Sequence, residues 1–138
     1  MVSDKVKFFS KEWCEQAIEA INASEAMYKG FRDPATFTNK MQFDCEGRPD
    51  LALHLEWEAA KLTYLGPPTF ADDDLWLIIR GSIDTWKTAA EGVVEGGKLL
   101  MGGKIKFVKG PITAAVQNAG AFNNFLLAWG QVPTDWDV

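Results

Sequence analysis

After Ser10 the apolar residues Trp13, Ala17 and Ile21, flanked by Ile18 and Ala20, recur at steps of three and four, which predicts an amphipathic helix capped by Ser10. Ser24 is placed to cap a second, shorter helix carrying Met27 and Phe31, and Asp33-Pro34 stops it. Residues 1–35 therefore read as a helical N-terminal layer. From Thr36 the period falls to two. Phe37, Met41, Phe43 and Cys45 take one face of a strand, with Thr38, Lys40, Gln42 and Asp44 on the other. The segment EGRPD turns the chain into a second strand, in which Leu51, Leu53, Leu55 and Trp57 oppose Ala52, His54, Glu56 and Glu58.

KLTYLG reads as a third strand and PPTFADDD as the loop after it. LWLIIRG is nearly all apolar, as a strand covered on both faces is. A helix begins at Ser82 or Asp84 and stops at Gly92; the stretch VVEGGKLLMGG reads as a glycine-rich turn, and KIKFV as a fifth strand with Ile105 and Phe107 on one face. Pro111 suits the first turn of a last helix. Its apolar stripe, Ile112, Ala115, Val116, Ala119, Phe122, Leu126 and Trp129, is expected to break near Gly120 and to end at Gly130, leaving 131–138 as a tail.

A chain of 138 residues with 47% hydrophobic content suits one domain, 1–138, with a full apolar core. No apolar run approaches the ~20 residues of a spanning helix, and the N-terminus lacks the pattern of a secretory signal, so a cytoplasmic location is expected. Cys14 and Cys45 have no Cys-x-x-Cys partner and read as small core residues. The net charge of −5 argues against nucleic-acid binding. Acids outnumber bases up to residue 95, whereas 96–134 carry Lys98, Lys104, Lys106 and Lys109 and no acid, a local positive bias that favours an anionic head group.

The stretch GGKLLMGGKIKFVKGP invites comparison with a phosphate loop. Gly103-Lys104 is followed by Ile105, where a Walker loop needs Ser or Thr, and no Gly-x-Gly-x-x-Gly joins a strand to a helix. His54 reads as a solvated residue on the polar face of its strand. Asp72, Asp73 and Asp74, adjacent in a loop, do not converge as cation ligands do. No nucleophile–histidine–acid set can be assembled, so no catalytic residue, metal or cofactor is assigned.

The order of elements, together with Gly92, Met101, Gly103, Lys104, Ile105, Lys106 and Gly110 and the preceding IDTWKTAAEG, resembles the type-2 sterol carrier protein family. The likeness covers roughly 36–129 in element order and rests in letters mainly on 82–116; one extra residue lies between Lys106 and Gly110, and Pro111 stands where an Asp is common. The resemblance implies an α+β fold, a five-stranded, mostly antiparallel sheet covered by helices and enclosing an apolar tunnel. It also implies binding or transfer of a fatty acid, acyl-coenzyme A, sterol or isoprenoid lipid. On that expectation the lining is Trp76, Ile78, Leu100, Met101, Phe107, Val116, Phe122, Phe125, Leu126 and Trp129. The lysines would lie outside the tunnel or at its mouth, and a transient membrane contact and a homodimer are compatible with it. The alternative is a non-catalytic interaction or accessory domain, with Trp129 and Trp136 anchoring a second subunit or an enzyme partner.

Overall fold

A computed structural model describes residues 5–138, so the N-terminal layer is seen from residue 5 onward. Its centre is a five-stranded sheet of β2 (Asn39–Cys45), β3 (Arg48–Glu58), β4 (Lys61–Gly66), β5 (Leu77–Gly81) and β6 (Ile105–Lys109). Their order across the sheet is β4-β3-β2-β5-β6. Only the β2–β5 pair is parallel, so the sheet is mixed and mostly antiparallel. The alternation anticipated from Thr36 onward sets its two faces. Met41, Phe43, Leu53, Leu55, Trp57, Leu77 and Ile79 are buried together on the inner face, while Lys40, Gln42, Glu56 and Arg80 lie on the outer one.

Helices cover the inner face. The hydroxyls of Ser10 and Ser24 accept the Trp13 and Met27 backbone N–H groups, starting α1 (Lys11–Ala23) and α2 (Glu25–Gly30) as their spacing anticipates. Ser82, rather than Asp84, caps α3 (Ile83–Ala90) by accepting the Thr85 N–H. The glycine-rich stretch is not a simple turn: Gly96–Met101 form a short helix, α4. Gly92 and Gly103, at φ +73° and +76°, end α3 and α4. In each case the next residue's N–H reaches back a full turn, Val93 to the Thr88 carbonyl and Lys104 to the Leu99 carbonyl. These two glycines are thus helix stops, not an anion cradle.

The last helix breaks at Asn118, not Gly120, giving α5 (Thr113–Gln117) and α6 (Ala119–Trp129). Gly120 serves a different purpose. It abuts Gly30 so closely that a Cβ on either residue would strike the other helix's backbone, which lets α2 and α6 pack at backbone distance. The expected tail is structured as well: β7 (Thr134–Asp135) pairs in parallel with β1 (Val6–Lys7), and Trp136 lies 4.4 Å from Phe8, ring centre to ring centre. Trp129, fully buried, packs against Trp13, Phe43, Trp86 and Phe125. The two tryptophans offered as anchors for a partner therefore anchor the chain to itself. No helix of the described residues is long and apolar enough to cross a membrane.

Candidate ligand cavity

Between the inner face of the sheet and α5–α6 lies an apolar cavity of about 50 Å³. The sheet contributes Met41, Phe43, Trp57, Leu77, Ile79 and Phe107; Trp76, Phe31 and Phe37 close its edge; Ala114, Ala115, Ala121, Phe122 and Phe125 form the helical wall. Asn118 is the single polar residue of the lining, and its amide is already committed. Its Oδ1 accepts the Arg32 N–H at 2.9 Å and its Nδ2 donates to the Ala114 carbonyl at 2.9 Å.

Trp76, Phe107, Phe122 and Phe125 are thus brought together, whereas six of the expected lining residues lie elsewhere. Ile78 projects from the outer face because its neighbours Leu77 and Ile79 point inward. Met101, at the end of α4, is 83% exposed, and Val116, on the outer side of α5, is 62% exposed. Leu100, Leu126 and Trp129 are buried in the packed core, outside the cavity wall. Phe31, Phe37, Met41, Phe43 and Trp57 were not among the expected lining residues, although the alternation had already put the last four on apolar faces. The lysines do not line the cavity either. Lys106 pairs with Glu46 at 3.0 Å, and Lys109 donates to the Asp72 carbonyl at 2.6 Å.

The space is narrower than the tunnel the resemblance implied. A void of roughly 150 Å³ admits one benzene ring, so about 50 Å³ leaves no resting place for a lipid chain. Side chains in an interior pack closely, and aromatic rings make up much of this lining. The shortest part of the helical wall is α5 (Thr113–Gln117). It turns only Ala114 and Ala115 inward, lacks a side-chain cap at its N-terminus and leaves Ile112 and Val116 exposed.

Buried polar groups near the cavity differ in whether they find a partner, and one in its wall, on Trp57, does not. Two buried tryptophans are satisfied, Trp13 Nε1 by Thr134 Oγ1 at 3.0 Å and Trp86 Nε1 by the Asp44 carbonyl at 3.1 Å. Trp57 Nε1 and Asn39 Oδ1 are buried without a hydrogen-bond partner, as is Trp129 Nε1 within its cage of rings. Trp57 and Trp76 also border a second, polar cleft with Thr38, Asn39, Lys40, Glu56, Asp73, Asp74 and Leu75. The two tryptophans therefore line both the apolar chamber and this polar cleft.

On the outer face the histidine is buried, not solvated: His54 is 2% exposed and stacks on Phe70. Its Nδ1 accepts the backbone N–H groups of both Thr69 and Phe70 at 3.0 Å, which leaves the ring proton on Nε2, donated to Gln42 Oε1 at 2.9 Å. Gln42 in turn donates to Asp44, and Arg80 grips the same carboxylate through two bonds of 2.6 and 3.0 Å. Burial pushes the His54 pKa down, against a smaller upward pull from Asp72. With its ring nitrogens committed to structural bonds, His54 has no free nitrogen for acid–base work. Cys14 and Cys45 are free and buried, each thiol pushed up to about 12, chiefly by burial. Among the described residues, no three His, Cys, Asp or Glu side chains converge as metal ligands.

This arrangement, a five-stranded mixed sheet closed by helices over an apolar chamber, is the sterol carrier protein 2 fold. The chain superposes on sterol carrier protein 2 with a TM-score of 0.74 and 22% identity, covering 91% of this chain and 99% of that one. A conserved hypothetical protein from Thermus thermophilus matches at 0.72 and 20% identity, over 97% of each chain. The apo form of sterol carrier protein 2 from Yarrowia lipolytica matches at 0.51 and 19%, over 89% of this chain and all of that one (100%). No protein-family model and no curated protein matches the sequence.

Proposed function

We propose that this protein is a non-catalytic lipid carrier that takes one apolar chain into the space between the sheet and α5–α6. The observation that carries this reading is a wall of aromatic and aliphatic side chains whose single polar member, Asn118, has its amide already engaged. Structures named sterol carrier protein 2 share the fold, which supports the same reading. Uptake requires α5 to move, because the resting space is about 50 Å³. Each buried methylene contributes ~0.8 kcal/mol, so a sixteen-carbon chain gains on the order of 12 kcal/mol gross. Association and opening offset much of that, the former costing roughly 4–15 kcal/mol.

Affinity should accordingly rise with chain length and then level off once the opened space is full. Trp57 and Trp76 in the wall report it directly. Titration of tryptophan fluorescence with single-chain lipids of increasing length should give saturable curves whose midpoints fall as the chain grows. A flat response at every length rejects the carrier reading.

A further inference from the structure

A lipid chain has two ends, and the cavity wall as described deals only with the oily one. Trp57, which lines both the chamber and the polar cleft, is 3% exposed, and its Nε1 is a donor without an acceptor. Asn39 stands directly opposite Trp57 in the β2–β3 register, and its Oδ1 is a buried acceptor without a donor. Directly opposed residues share a sheet face, with Cβ atoms roughly 4.5–5.5 Å apart. Two neighbouring buried groups of opposite hydrogen-bonding sense, each unpaired, represent desolvation without compensation. The similar orphan on Trp129 lies away from the cavity, so it does not bear on the ligand.

Resting on the carrier reading, we infer that the Trp57–Asn39 pair holds the polar end of the ligand, and that this end is a neutral hydroxyl. A hydroxyl both accepts and donates, so one group satisfies Trp57 Nε1 and Asn39 Oδ1 together. An ether or ester oxygen can satisfy only the first. A carboxylate or phosphate also lacks the proton that Asn39 Oδ1 requires. In the polar cleft that Trp57 and Asn39 also line, Glu56, Asp73 and Asp74 outnumber Lys40, which disfavours an added negative charge. The lysine-rich 96–134 segment does not redress this, since none of its lysines lines the chamber or the polar cleft. The preferred class is thus a lipid alcohol, in place of the anionic head that the charge distribution alone suggested.

Tetradecan-1-ol, its methyl ether and tetradecanoate at neutral pH form a matched probe set. The wild-type protein should bind the alcohol most tightly, roughly tenfold better than the carboxylate. Trp57→Phe should weaken alcohol and ether alike, and Asn39→Ala should weaken the alcohol while sparing the ether. In the intact protein, the Trp57 indole proton should move downfield with the alcohol, a readout that does not depend on either variant folding. Equal affinity for alcohol and carboxylate, or an unmoved Trp57 resonance in a protein that binds all three probes, overturns the inference and leaves the carrier reading standing. Failure of all three to bind removes both.

Discussion

His54 shows how far a residue's setting outweighs its place in a pattern. Alternation puts it on the outer face, and outer faces are commonly wet, but the loop after β4 folds over the ring and hands it two backbone N–H groups. Protonating Nδ1 would turn an acceptor of two bonds into a donor facing two donors. The charged and titratable groups around it are Asp72, Lys40 above the Phe70 ring, Tyr64 at the edge of that ring, and the Asp44–Arg80 pair beyond Gln42. With the folded pKa below the ordinary value, the ring binds its proton more readily once the chain unfolds. Its contribution is therefore complete above the unfolded pKa of about 6.5 and is lost as pH falls toward the lower folded value. Histidine NMR, with a single resonance to follow, should give a midpoint below 6.5 and a neutral ring protonated on Nε2. A midpoint above 6.5 would contradict the burial argument.

At the scale of elements, regular patterns were legible and short or crowded ones were not. Strands β2 and β3 were readable because period-two alternation persists there over enough residues to exclude a helix, β4, β5 and β6 because short apolar runs stand between turn residues, and the serine caps because a hydroxyl before a helical stripe has a specific partner. The six-residue helix α4 was hidden by its own glycines, whose low helix propensity reads as a turn; packing of Gly96 against Phe122 and Leu126 overrides it. Two-residue strands such as β1 and β7 have no period at all. Gly110, by contrast, could be assigned to a turn but not to its real constraint. At φ +91° its missing side chain makes way for the Trp76 carbonyl and for Leu77. Gly110→Ala should destabilise the protein by more than ~1 kcal/mol in denaturant unfolding. Gly97→Ala, where a Cβ meets nothing within 4 Å, should be neutral or slightly stabilising. Equal effects of the two would contradict the crowding argument.

For the whole molecule, the layered architecture was accessible from the order of elements, while the cavity was only half accessible. Trp76, Phe107, Phe122 and Phe125 meet around it, but Val116 shows that an apolar stripe does not reveal which side of a short helix faces inward, and Met101, read in a turn, projects outward from the end of α4. Phe31, Phe37 and Trp57 approach from distant segments, and no local period encodes that meeting. An empty apolar space costs about 24 cal/mol per Å³, so filling it returns ~1 kcal/mol. Ala115→Leu should therefore raise thermal stability modestly while weakening uptake of long-chain lipids. A variant that is stabilised yet binds lipid as well as the parent would separate the cavity from the function.

The narrowness of the resting chamber also bears on timing. If the guest is a lipid, no molecule of any length can be received until the wall has yielded, so the protein, not the supply of lipid, sets the pace of loading once lipid is plentiful. Guests of different length then share a common waiting time at the door and are told apart by how long they stay.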